Sequence, residues 1–290
     1  MGKLTSVRAD RTLSRSGLFA TGPRQLTLPI EARGLSEIVI ASGSLRVTPD
    51  YDVLAWLCER WLTRPTESGW MRPTFYEIGS DLYARPPSGT DYRTLTAALD
   101  RLGMVTVSLT GYDAETGEAT RHLRSRDNLA SVVLPGEDTT GTDRFKVRLA
   151  EWLRREISDG APVRLSWRTL RAFDENQKLA KRLWIYLAAE RWRRSGTETE
   201  GTWIACGDRL FAALGMDYAE PKFARRALKR ACQTIRRVDA RYAAGELQVV
   251  KTLGSWKIIS KRPRWEAWRE LRAEHEQARQ AITASLRRAA

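Results

Sequence analysis

The sequence predicts a mainly α fold with small β-wings (α+β), arranged as two tandem winged-helix domains plus a C-terminal helix. Three observations lead there. Apolar residues recur at helical spacing through much of the chain. Short alternating runs follow a pair of helices in each half. The order helix, turn, helix, hairpin occurs twice in 290 residues, a length suited to two domains. The expected boundaries are an N-terminal segment 1–25, a first winged-helix domain 26–150, a second, strongly basic one 151–262, and an amphipathic helix 263–290.

In the first half, residues 1–25 are polar with a small apolar patch at Leu18, Phe19 and Ala20. Leu26, Leu28 and Ile30 alternate like a strand, Glu31–Ser42 reads as a short helix or loop, and Leu45 with Val47 reads as another strand. Asp50 opens a helix whose apolar series is Val53, Leu54, Trp56, Leu57 and Trp61. Thr74 and Glu77 form a Thr-x-x-Glu capping box, so a helix starts there. After a Pro86-Pro87-Ser88-Gly89 turn, Thr90–Leu102 forms a second helix with Leu95, Leu99 and Leu102 on one side, and Gly103 is expected to stop it. Met104–Leu109, Leu129–Leu134 and Asp143–Leu149 are strand-like, and Arg121, His122, Arg124 and Arg126 are expected at a wing tip.

The second half repeats this order. Leu165–Phe173 and Glu175–Arg194 read as helices, with Leu179, Leu183, Trp184 and Leu187 inward. Thr202–Ala205 is a short strand, Gly207–Leu214 a short helix and Glu220–Val238 a long one. Leu247–Val250 and Trp256–Ile259 then pair as a hairpin. Trp265, Trp268, Leu271, His275, Ala278, Ile282 and Leu286 mark the amphipathic stripe of the last helix, expected to pack back on the second domain. Trp56, Trp61, Trp152, Trp167, Trp184 and Trp192 fall on apolar helix positions and read as core.

Composition narrows the function classes. The longest apolar runs fall short of the about 18 residues a membrane span needs, and the N-terminus lacks a secretory apolar region, so a cytoplasmic protein with no membrane partner is expected. Cys58, Cys206 and Cys232 are widely spaced, which supports neither a disulfide framework nor a zinc site. The two histidines, His122 and His275, are isolated, and no phosphate-binding loop, dinucleotide fingerprint or metalloprotease motif occurs. No catalytic residue, metal ligand or cofactor is assigned, and the chain is read as no enzyme; a nuclease using carboxylates alone stays open.

Charge points to a partner. The net charge is +14. Residues 1–145 carry 17 Lys and Arg against 18 Asp and Glu, whereas residues 146–290 carry 32 against 17. In Glu220–Val238, Lys222, Arg225, Arg226, Lys229, Arg230, Gln233, Arg236 and Arg237 share an arc of about 140° at roughly 100° per residue. Phe223, Ala224, Ala227, Leu228, Ala231, Cys232 and Ile235 take the rest. Like charges at i,i+4 spacing repel, and a polyanion relieves that repulsion while releasing counterions. Lys251, Lys257, Lys261 and Arg262, on or after the hairpin, suit phosphate positioning rather than base reading. In the first half, Thr90, Arg93, Thr94, Ala97 and Arg101 share a helix face of short hydroxyls, a small residue and guanidinium groups, which suits base edges and phosphates.

Several stretches resemble the TrfA-type plasmid replication initiators. These are Arg15-Ser16-Gly17-Leu18-Phe19, Asp52–Leu57, Ser88–Leu95 ahead of Leu99–Leu102, and Phe223–Ala231. The likeness covers roughly residues 14–262, and Gly89-Thr90-Asp91-Tyr92-Arg93-Thr94-Leu95 is its most specific part. It implies two tandem winged helices that bind direct repeats (iterons) in double-stranded DNA at a plasmid origin. It also implies strand opening and recruitment of the host initiator and replicative helicase. Monomers would act at the origin, with a homodimer as the inactive or autorepressing form, and the helices Thr90–Leu102 and Glu220–Val238 would be the two major-groove readers. The alternatives are a dimeric winged-helix transcriptional regulator reading a palindrome, and an adaptor whose basic face meets an acidic protein.

Overall fold

The computed structural model describes residues 6–9, 13–14, 19–20, 37–42, 45–112, 119–136, 140–159, 162–193, 202–216, 220–243, 246–252 and 255–261. The expected strand at Leu26–Ile30, Arg262 and the C-terminal helix lie outside these residues. The architecture is mainly helical with small sheets, and a helix pair followed by paired strands occurs in each half.

In the first half, α1 (Asp50–Thr63) is followed by a short extended stretch in which Met71 bridges to Val147 and Thr74 to Arg144. Next come α2 (Phe75–Tyr83) and α3 (Gly89–Met104). The second half runs α6 (Lys178–Arg193), β10 (Thr202–Ala205), α7 (Asp208–Ala213), α8 (Pro221–Val238), and a hairpin of β11 (Glu246–Thr252) and β12 (Ser255–Lys261). In both halves the extended segment ahead of the helix pair joins the last strand of the pair that follows. Met71 joins β8 (Lys146–Leu149), which pairs with β7 (Ala130–Val133), and β10 joins β12, in the order β10-β12-β11.

The capping box expected at Thr74 forms. Thr74 Oγ1 accepts from the Glu77 amide at 3.1 Å and Glu77 Oε2 accepts from the Thr74 amide at 2.9 Å. A second box, Ser88 with Asp91, starts α3 and was not expected. Asp91 accepts from the Ser88 amide and, with both oxygens, from Arg85. Its carboxyl is held down at about 2, first by the Arg85 guanidinium. The turn between α2 and α3 packs on Gly79, where a Cβ would stand 2.8 Å from Pro87, so only glycine allows this approach.

Several elements differ from expectation. Residues 37–42 are a strand, β3 (Glu37–Ser42), which suits the β-branched run Ile38-Val39-Ile40. Gly103 does not end α3, which runs to Met104; a Cβ at Gly103 would sit 3.4 Å from Val132 Cγ2 on β7, an ordinary van der Waals contact. Arg121, His122, Arg124 and Arg126 form no wing tip. They lie inside β6 (Ala119–Asn128), which pairs with β5 (Thr106–Tyr112) in the sheet β3-β5-β6, inserted between α3 and the β7–β8 pair. Residues 165–173 are not one helix. Val163 and Leu165 alternate with Arg164 in β9 (Val163–Ser166), and Ser166 caps the short α5 (Trp167–Arg171). A further helix, α4 (Glu151–Asp159), precedes them.

One buried cluster holds both halves together. The strand β1 (Ser6–Ala9) pairs antiparallel with β9, so the chain's beginning is a partner of its middle, and β2 (Phe19–Ala20) pairs parallel with β4 (Leu45–Arg46). Helix α6 is buried on every side from Ala180 to Glu190, although it carries Lys181, Arg182 and Glu190. Buried charge needs partners, and three of those of Lys181 and Arg182 come from the first half. Lys181 Nζ donates to Asp52 Oδ2 at 2.6 Å and to Thr48 Oγ1 at 2.8 Å. Arg182 donates to the Ser14 carbonyl at 2.7 Å and to the Ala213 carbonyl at 3.0 Å. Burial lowers the Arg182 guanidinium to about 10 and raises the Asp52 carboxyl, which Lys181 pulls back toward its charged form. Trp167 and Arg171 both donate to the Asp81 carbonyl, at 3.1 and 2.7 Å.

Two outcomes follow for stability. Asp52→Ala leaves the buried Lys181 ammonium without its carboxylate and is expected to cost about 3–5 kcal/mol in urea unfolding, while Asp52→Leu with Lys181→Met recovers most of it. Asp91 has a depressed carboxyl, so its contribution is complete above its unfolded value of about 4 and is lost as pH falls toward about 2. The stability gap between the wild type and Asp91→Asn should therefore hold from pH 7 to 5 and close between pH 4 and 2.

Candidate nucleic-acid interface

Helix α8 begins with Pro221 at its first turn, which suits proline's fixed φ, and it has no acidic residue in that turn. Its buried stripe is Ala224, Leu228, Ala231, Cys232 and Ile235. These residues pack toward α6 and β11. Beyond the helix, Asp239 accepts from Trp184 Nε1 at 2.8 Å and from Arg241 with both carboxylate oxygens, which ties the C-terminal end of α8 to α6.

The opposite face is as the periodicity predicts. Lys222, Arg226, Lys229, Arg230, Gln233, Arg236 and Arg237 are exposed, and Arg225 is half-buried. No Asp or Glu lies within the helix, and none of its seven cations makes an ion pair among the described residues. Arg236 and Arg237 sit at the C-terminal end, where the helix dipole favours cations. Lys222 sits at the N-terminal end, where the dipole and the free amide groups favour an anion.

The hairpin adds a part that sequence reading missed. Trp256, half-buried on β12, lies under both Arg225 and Lys229, each 5.1 Å from the ring. One indole thus holds two cations that would otherwise repel each other at i,i+4, and directs them along the side of α8 nearest the hairpin. The alternating strand pattern is legible in the sequence, but the stacking needs the register of β12 against α8. Lys251 is exposed and pairs in register with Trp256. Lys257 is half-buried on β12, Lys261 ends that strand, and Arg262 lies outside the described residues.

The first helix face divides. Thr90 and Arg93 are exposed, and Thr94 and Ala97 are half-exposed. The Thr94 hydroxyl donates to the Thr90 carbonyl at 3.0 Å, and Arg93 Nη2 to Thr90 Oγ1 at 3.4 Å. An open groove of about 410 Å³ runs between this face and Leu134–Gly136, lined by Tyr92, Arg93, Thr96, Ala97 and Asp100. Arg101 does not belong to the face. Its Nε and Nη2 donate to the two oxygens of the fully buried Asp50 at 2.8 and 2.7 Å, so it is a structural ion pair between α3 and α1.

Burial pushes the Cys206 thiol up to about 11 and the Cys232 thiol to about 12. Among the described residues no group of three or more His, Cys, Asp or Glu is placed to hold a metal, and no helix is long and apolar enough to cross a membrane.

The fold is thus mainly helical with small sheets, with a helix pair and a strand pair in each half. Crystallised domains 2 and 3 of RctB (a selenomethionine derivative) share it at TM-score 0.51 and 12% identity, over 88% of this chain and 99% of that one. A second crystal structure of RctB domains 2–3 aligns at TM-score 0.45 and 14% identity, over 87% and 96%. The sequence matches no protein-family model and no curated protein.

Arg101→Ala should behave as a stability variant. It leaves Asp50 buried without its ion pair, held only by the Arg46 amide, with an expected loss of about 3 kcal/mol in denaturant unfolding, whereas Arg93→Ala, at an exposed position, should stay within about 0.5 kcal/mol of wild type.

Proposed function

We propose that this chain is a non-enzymatic, sequence-specific duplex-DNA-binding replication initiator acting in the cytoplasm. The observation that carries this reading is the exposed, acid-free cationic face of α8 on a helix followed by a hairpin. A recognition helix enters the major groove in this setting, and its cations neutralise phosphates. Lys251, Lys257 and the Trp256 platform add backbone contacts beside it, which position the protein without reading sequence. The face formed by Thr90, Arg93, Thr94 and Ala97 is the second reader.

Initiation, rather than DNA binding alone, rests on the resemblance to TrfA-type initiators, and the fold shared with RctB domains 2 and 3 supports this reading. Two readers in one chain suit an asymmetric repeat bound by a monomer, so direct repeats are favoured over a palindrome. Origin opening and contacts with the host initiator and helicase belong to the same reading.

A salt titration of duplex binding tests the electrostatic part. With six to eight phosphates neutralised, log K against log salt should fall with a slope of about −5 to −7. Arg226→Ala and Arg230→Ala should each weaken binding by about 1–3 kcal/mol if they reach bases. A flat salt response, or unchanged affinity in both variants, contradicts α8 as the reader.

A further inference from the structure

Phe223 breaks the pattern of the α8 face. It is 47% exposed in the first turn of the helix, beside the exposed Lys222 and Arg226. Helical periodicity assigns it to the apolar remainder, yet the buried stripe on that side is complete with Ala224, Leu228 and Ala231. On a wheel of roughly 100° per residue, Arg225 and Lys229 lie on one rim of the exposed face and Phe223 with Arg230 on the other. The first rim is turned to Trp256 and the hairpin. Phe223 therefore sits on the rim away from the wing, at the end of the helix whose residues reach base edges in a docked recognition helix.

A phenyl ring has no donor for a phosphate oxygen, so it adds nothing to backbone contacts. The major groove offers one apolar group at its floor, the C5-methyl of thymine, and aromatic and small apolar side chains pack on it. Resting on the DNA-binding reading above, we infer that Phe223 is a specificity-determining residue that recognises a thymine methyl in the target duplex, next to the bases met by Arg226 and Arg230.

The test uses the full chain and a duplex library randomised over about 20 bp, roughly two helical turns. The wild type should enrich a motif with a fixed thymine. Replacing that thymine with deoxyuridine removes only the methyl and should weaken wild-type binding about fourfold, the worth of one buried methyl. Phe223→Ala, which changes an exposed position and should melt as the wild type does, should bind both duplexes equally and keep the wild-type salt slope. Phe223→Leu should retain part of the discrimination. If no thymine shows a methyl effect, or if Phe223→Ala keeps it, the inference is overturned while duplex binding by α8 stands. If no sequence is enriched and binding does not respond to salt, the DNA-binding reading falls and this inference with it.

Discussion

Mutual repulsion on α8 is the constraint from which the rest of the structure can be understood. Lys222, Arg225, Arg226, Lys229, Arg230, Arg236 and Arg237 crowd one helix with no carboxylate among them. Such a helix is unfavourable alone and needs tertiary anchoring. The anchor is its other face, Ala224 to Ile235, set on α6 and β11, with Asp239 and Trp184 closing the C-terminal end. Trp256 takes up part of the repulsion by stacking under two of the cations. Stability lies on one side of the helix, so the other is free to be chosen for a partner.

Helix α6 is what makes the anchor rigid. It lies inside the molecule rather than on its surface, and its two interior cations are answered by Asp52, Thr48 and Ser14 from the first half. A buried pair of this kind is weak evidence for net stability, because desolvation offsets attraction, but it does specify which surfaces meet. The pairing of β1 with β9 and the donors from Trp167 and Arg171 to the Asp81 carbonyl work in the same direction. The expected division at residue 150 is thus a boundary in sequence order, crossed by a shared core.

Local signals were legible and distant ones were not. The capping box at Thr74, the apolar series of α1, the cationic arc of α8 and the β11–β12 hairpin follow from spacing alone. The Arg101–Asp50 pair joins residues 51 apart, so helical periodicity places Arg101 on an outward face while the tertiary partner turns it inward. The β5–β6 hairpin interrupts the winged-helix order, and polar composition at Arg121–Arg126 disguised a strand. Helix α6 defeated an amphipathic reading because its polar residues are buried with partners from elsewhere in the chain.

In the proposed function, duplex DNA sits on the α8 face. Amine-reactive labelling read by mass spectrometry, with and without a saturating enriched duplex, tests it most directly. Lys222 and Lys229 should lose most of their reactivity when the duplex is present and regain it at high salt, while the exposed Lys178 at the start of α6 stays reactive. Equal labelling of Lys222 and Lys229 with and without bound duplex would place the DNA elsewhere on the protein.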